Sequence, residues 1–171
     1  MPVLKGIAWD HPRGFDPMLA TAKEFSNKFS EVEIVWDKRP LQSFADRPIE
    51  NMAFEYDLMV IDHPHVGEAS RKDLLLELDS FNEFKNRLDI LSKNSVGLSH
   101  ESYNFNNHQY ALAIDAAAPV AAYKVGVLDE LPFTFEQVLK LAEKSLVMWP
   151  IKPVDAISCF NTIAANIGHA I

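Results

Sequence analysis

The chain has 171 residues, enough for one ordinary domain or a little more with a real core. Its 48% apolar and 23% charged residues are those of a globular protein, and a net charge of −8 with no Lys/Arg cluster argues against a nucleic-acid partner. No stretch approaches the roughly 20 apolar residues that span a bilayer, and the single cysteine, Cys159, excludes an intrachain disulfide.

Residues 3–9 read as a strand, followed by the loop Asp10-His11-Pro12-Arg13-Gly14. Helix signals follow, with Asp16 as N-cap and Pro17 at the first helical position. Leu19, Ala22, Phe25 and Phe29 recur at spacings of three and four, which predicts one buried helix face. Residues 31–36 begin with strand alternation and drift to continuous apolar, as a partly covered strand does. The connector that follows contains Pro40 and Pro48 and predicts short helices near residues 41–44 and 49–54. Residues 58–61 are apolar throughout, which suits a central parallel strand. A second loop, Asp62-His63-Pro64-His65, comes directly after it. Leu74 to Leu78, Phe81 and Phe84 then keep a helical rhythm. This β-α-β-α order predicts an α/β layer architecture.

The pattern changes near residue 100. Runs 102–105 and 109–114 flank Asn106-Asn107, a hairpin signal. The second run ends at Asp115, and three alanines and Pro119 lead to a further apolar run at 120–123. Thr134 and Gln137 form a capping box, with Phe133 and Val138 placed for a hydrophobic staple. Residues 146–149 read as a buried strand. Ile157, Phe160, Ile163, Ala164 and Ile167 then outline a last amphipathic helix, with Gly168 as its C-cap and Cys159 buried within it.

If residues 3–9 and 58–61 are parallel strands, both Asp-His-Pro loops lie at carboxyl ends, where open α/β sheets bind ligands. Asp10, His11, Asp62, His63 and His65 are of metal-ligand type, and zinc, manganese or iron would suit them. The competing reading is that a histidine bonds the loop backbone while Pro64 stiffens it. No G-x-S-x-G nucleophile and no G-x-G-x-x-G phosphate loop is present. Arg13 before Gly14 is placed to hold an anion or to remain solvated. Trp9 and Trp149 each end a run beside an acid or proline, as an aromatic face for a polar small molecule would, whereas Trp36 reads as core. Asp115 closes an apolar run ahead of small residues that would leave room for a ligand, or it is an exposed turn residue.

The order Trp9-Asp10-His11-Pro12-Arg13-Gly14, Tyr56-Asp57-Leu58 and Ile61-Asp62-His63-Pro64-His65 resembles family 1 extracellular solute-binding proteins, the ligand receptors of ABC importers. Tyr110 to Asp115, Ala122-Tyr123-Lys124 and Trp149-Pro150 with Lys152-Pro153 are similar to that family's crossing into its second lobe, although its Tyr-Asn-Lys is here Tyr-Lys. The resemblance implies a periplasmic-binding-protein-like α/β lobe with a mostly parallel sheet in three layers (residues 1–113). The hinge crossing and the start of an incomplete second α/β lobe would occupy residues 114–171.

Carried over by position, the resemblance implies ligand-facing roles for Asp10, His11, Arg13, Asp62, His63 and His65, beside the aromatic face offered by Trp9. It implies the same for Asp115 at the hinge and for Trp149, Lys152 and Asp155 in the second lobe. It implies binding without catalysis, no cofactor, a small polar solute such as a sugar, and an ABC permease in the membrane as partner. A short relative would complete its core by dimerising. The implied compartment is periplasmic or extracytoplasmic. The N-terminus shows no basic-then-apolar leader, so either a leader has been removed or the protein is cytosolic. The rival readings are a metal-dependent hydrolase or lyase using the Asp-His-Pro loops, and a cytosolic ligand-sensing domain.

Overall fold

A computed structural model describes residues 1–40 and 47–169, so the short helix expected near 41–44 lies outside the described residues. By its internal contacts the chain divides into two compact units, Met1–Ala116 and Ala117–Ile171. Among the described residues, no helix is long and apolar enough to cross a membrane.

The first unit is α/β, built on a parallel three-stranded sheet. Strand β1 (Val3–Trp9) lies between β2 (Glu33–Arg39) and β3 (Leu58–Met59), in the order β2-β1-β3. β1 pairs with β2 in register from Val3↔Glu33 to Trp9↔Arg39. Its ladder to β3 is two residues long, Gly6↔Leu58 and Ile7↔Met59. Two further bonds lengthen that edge. Asp57 N–H donates to the Lys5 carbonyl and Val60 N–H to the Ile7 carbonyl, each at 2.9 Å. The central position buries Ile7 and Ala8 almost completely. Gly6 lies under the Trp36 indole, where an added Cβ would come within 2.4 Å of the ring.

Helix α1 spans Pro12–Lys28, one turn earlier than Asp16 and Pro17 predict. His11 is its N-cap, in extended backbone geometry, and its Nδ1 accepts the Arg13 amide at 3.1 Å. Pro12 takes the first helical position, where its missing N–H costs nothing. Pro17 falls inside the helix, which deprives the Arg13 carbonyl of its usual i+4 donor. The start shifts because two prolines compete for the same role, and the earlier one has a capping side chain. The buried face is Gly14, Met18 and Ala22 with Phe25 half-buried, while Leu19 and Phe29 are exposed, contrary to the predicted stripe.

The core lies beyond β3. Helix α2 (Ile49–Ala53) contributes Ile49 and Met52, both essentially without exposure. Ile61 follows β3, and helix α3 (Val66–Arg71) adds Val66 and Ala69. Tyr110 closes the cluster, its hydroxyl accepting from Ser70 Oγ (2.9 Å) and donating to Glu77 Oε1 (3.2 Å). Leu74 to Glu77 do not continue a helix. A single 3₁₀ turn at Leu78–Ser80 and helix α4 (Asn82–Asn94) take that stretch instead. Leu74 and Leu75 pack on the cluster from an irregular segment, so their apolar spacing reflects tertiary burial rather than helix period.

The hairpin forms where Asn106-Asn107 predicts it. β4 (Asn104–Phe105) pairs antiparallel with β5 (His108–Gln109) across φ values of 52° and 67° at the two asparagines, a type I′ geometry. Asp79 ties it down, Oδ1 accepting the Gln109 amide at 2.8 Å and Oδ2 lying 3.0 Å from His108 Nδ1. Burial pushes the Asp79 carboxyl up, but the Gln109 amide and His108 outweigh it and leave it below its ordinary value.

The folded state therefore binds that proton more weakly than the unfolded chain. The stabilisation is present above about pH 4 and is lost as pH falls through the lowered folded value. Asp79→Asn is expected to flatten the acid limb of the stability-against-pH curve. It should cost about 1 kcal/mol at neutral pH, at the low end for charged hydrogen bonds because the side chain is partly solvated. Urea titrations of both proteins between about pH 3 and pH 6 check this; parallel curves would show that Asp79 does not carry the effect.

The strands expected at 109–114 and 146–149 are otherwise not formed, and the apolar run at 120–123 is not a strand either. Beyond Gln109 these runs pair with no strand among the described residues, and an extended segment without a ladder is not a strand. In the second unit the described elements are helices α5 (Phe135–Glu143) and α6 (Pro153–Asn166). The capping box of α5 forms as predicted. Thr134 Oγ1 accepts the Gln137 amide (3.3 Å), and Gln137 Oε1 accepts the Thr134 and Phe133 amides (3.1 and 2.7 Å). The staple does not form, because Phe133 is 91% exposed. After α6, Gly168 takes φ 87° and His169 N–H bonds the Ala164 carbonyl at 2.8 Å, a left-handed C-cap. Ala164 is buried, while Ile157, Phe160 and Ile167 are more than half exposed. Cys159 is half-buried rather than buried, its Sγ 3.5 Å from the Pro150 carbonyl.

Candidate functional site

The strand order β2-β1-β3 means that the chain leaves β1 toward one edge and returns to the other side of it. The gap between the carboxyl ends of β1 and β3 is thus a topological switch point, the place where open α/β sheets bind ligands. Asp10 follows β1 directly, and Asp62 lies three residues beyond the β3 ladder. Both Asp-His-Pro loops therefore flank this gap.

Trp9, at the end of β1, and three residues of the first loop have different tasks. Trp9 packs its indole on Gly14, where an added Cβ would fall within 2.3 Å of the ring, so it fixes the start of α1. Asp10 pairs with Lys38 Nζ at 2.8 Å, both half exposed. His11 is committed to the helix cap. Arg13 reaches across to Asp115, with Nε 3.0 Å from Oδ2 and Nη2 on the same oxygen. That pair joins positions 102 residues apart and pins the segment after the hairpin to the β1 end.

In the second loop, His63–His65 forms one 3₁₀ turn, closed by the His65 amide donating to the Asp62 carbonyl at 3.1 Å. Asp62 and His63 are exposed, and neither side chain holds a hydrogen bond or ion pair among the described residues. His65 is half-buried at the start of α3 and helps hold the exposed Glu68 carboxyl below its ordinary value, after the larger effect of Lys72.

Tyr103 braces the backbone just ahead of the second loop. Its hydroxyl donates to the Ile61 carbonyl at 3.0 Å. Burial, then the Asp62 and Asp115 carboxylates, hold this phenol above its ordinary value, so it stays a neutral donor. Next to Asp115 is an open depression of about 300 Å³, lined by Leu91, Ser95, Val96, Ser99, Ala113 and Ile114 among others.

Arg13 thus holds Asp115, and Asp10 sits beside Lys38. Neither Tyr103 nor Lys38 is flagged by the sequence motifs, although a tyrosine at a hairpin base and a lysine near the end of a parallel strand's ladder are placed for such work. No group of three His, Cys, Asp or Glu side chains among the described residues is arranged to hold a metal ion, so the geometry lends the metal-hydrolase reading no support.

Trp149, Lys152 and Asp155 belong to the second unit. Trp149 is half-buried in an irregular segment, Lys152 is the N-cap residue of α6 without a side-chain cap bond, and Asp155 lies in that helix's first turn. An acidic residue there is favoured by the helix dipole, which accounts for its placement without a ligand.

No protein-family model matches the chain. It is similar to the maltotriose-binding protein of Pyrococcus abyssi (strain GE5 / Orsay), with 23% identity over 157 residues. The match covers 86% of this chain and 34% of that protein, so the chain spans about a third of the length of the curated relative it matches.

Proposed function

We propose that this chain is the ligand-binding first lobe, with the beginning of the second, of a solute-binding protein that delivers a small polar molecule, such as a sugar, to an ABC permease in the membrane. The observation that carries the proposal is the placement of both Asp-His-Pro loops at the switch point between β1 and β3. The similarity to a maltotriose-binding protein across most of the chain supports it. Lobe one would comprise residues 1–113, with the hinge near 113–115, outside the cytoplasm. The mechanism is binding without bond-making. A ligand that touches both lobes stabilises the closed state and shifts the population toward it, and the permease would read the closed form.

Within the first unit, Asp62 and His63 offer acceptors to ligand hydroxyls, while Arg13, Asp115 and Asp10 with Lys38 form a charged rim. Trp9 is occupied by Gly14, so its role is to hold the rim in place. Trp149, Lys152 and Asp155 would face the ligand from the second lobe. Asp62→Ala is expected to weaken binding by about 1.5–3 kcal/mol, the worth of a hydrogen bond to a charged group. Calorimetric titration of the wild-type and variant chains with maltotriose checks this, and equal affinities would remove Asp62 from the site.

A further inference from the structure

The run from Tyr110 to Ala116 closes the first unit and leads directly into the second, which begins at Ala117. It has strand composition but no ladder, so its hold on the unit comes from elsewhere. At its start that hold is dense. The Tyr110 amide donates to the Tyr103 carbonyl at 3.1 Å, the Tyr110 hydroxyl is bonded to Ser70 and Glu77, and the Ala111 carbonyl accepts from Gln109 Nε2 at 2.8 Å. Beyond Ala111 it thins to a single side chain. Among the described residues, the hydrogen bonds from Arg13 Nε (3.0 Å) and Nη2 to Asp115 Oδ2 are the only ones that reach residues 112–116. Packing helps only in part, because Leu112 and Ile114 are 45% and 44% exposed.

The pair is weak enough to open. The Arg13 and Asp115 side chains are 58% and 27% exposed. An ion pair with such access to water shifts an equilibrium by about fivefold at most and is screened by salt. Its place gives it leverage all the same. Arg13 lies in the first turn of α1, at the carboxyl end of β1, and Asp115 is next to the last residue of the unit. Opening this one pair therefore frees the whole segment that follows Ala111.

We infer that Arg13 and Asp115 form a latch on a strap, residues 112–116, with Arg13 as the positioning residue for Asp115. Closed, the latch holds the strap on the first unit; open, the strap swings free from Leu112 onward. Its bearing on closure around a ligand rests on the hinge proposed near 113–115. The latch itself is read in the ligand-free chain, so either reading can fail without the other.

Limited chymotrypsin digestion of the full chain, with the cleavage sites mapped by mass spectrometry, tests the latch, since cleavage follows the population of the open form. At low salt, Arg13→Gln and Asp115→Asn should each speed cleavage after Leu112 by about twofold to fivefold, the range of an exposed pair. The double variant should equal either single one, because the two residues act as one unit. The reversed pair Arg13→Asp/Asp115→Arg should bring the rate back toward that of wild type. In about 0.5 M NaCl the ratio of variant to wild type should fall toward one. Lys28→Gln, which removes the exposed Glu24–Lys28 pair, should match wild type throughout. Unchanged cleavage after Leu112 in the single variants would overturn the latch. So would a double variant showing the product of the two single effects, or cleavage raised alike across the first unit, which would mean that the pair supports the fold and not the strap.

Discussion

Truncating Met52 to alanine is expected to lower the unfolding free energy of the first unit by about 3 kcal/mol, within the range for buried methionines. Met52 has no exposed surface and sits in the cluster formed by Ile49, Ile61, Val66, Ala69 and Tyr110. Its Sδ also accepts from Arg39 Nη2, so the change removes a partner of a strand-end guanidinium as well as packing. The cavity would open in the cluster that also holds Ile61, the residue that leads into Asp62. Urea denaturation of Met52→Ala beside Met148→Ala gives the contrast. Met148 is 96% exposed, and its truncation should stay within about 0.5 kcal/mol of wild type. Equal midpoints for the two variants would mean that the cluster does not carry the unit's stability.

Adding a single methyl at Gly6 should be nearly as damaging, at about 2–3 kcal/mol, the upper range for overpacking. Gly6 is in the central strand, paired with Trp36 on one side and Leu58 on the other. A Cβ there would meet three atoms of the Trp36 ring at 2.4–2.6 Å, closer than real carbons approach. Trp36 is half-buried, so the ring must move outward or β2 must separate from β1. Thermal melts and tryptophan fluorescence of Gly6→Ala read both consequences. Unchanged fluorescence with an unchanged melting temperature would show that the ring has space the structure does not give it.

Much of the local structure in both units is readable from local chemistry. The apolar run at 3–9 forms the central strand, and the turn signal at Asn106-Asn107 forms a hairpin with both asparagines left-handed. The Thr134–Gln137 box caps its helix. These features need only neighbours a few residues away. The errors arise where tertiary partners decide. His11 is outside the usual capping set, yet an imidazole nitrogen satisfied the Arg13 amide and moved the helix start forward by a turn. The apolar runs at 110–114, 120–123 and 146–149 have strand composition, but composition does not supply a ladder partner.

The site was legible in the same proportion. Once two strands are taken as parallel, their carboxyl-end loops follow by topology, and Asp10 and Asp62 come with them. Spacing cannot reveal that Arg13 meets Asp115, or that the Tyr103 hydroxyl donates to the Ile61 carbonyl. Nor does it reveal that Trp9 and His11 are already occupied by Gly14 and the helix cap. The candidate face therefore narrows toward Asp62, His63 and the Arg13–Asp115 pair.

Backbone hydrogen exchange of the chain, with and without maltotriose at about 10 mM, a concentration at which even a millimolar Kd is visible, tests the central claim most directly. Binding at the switch point predicts saturable protection at residues 10–15 and 61–66, strongly reduced in Asp62→Ala. Protection confined to other segments, or none at saturating sugar, would contradict a sugar-binding cleft between the carboxyl ends of β1 and β3.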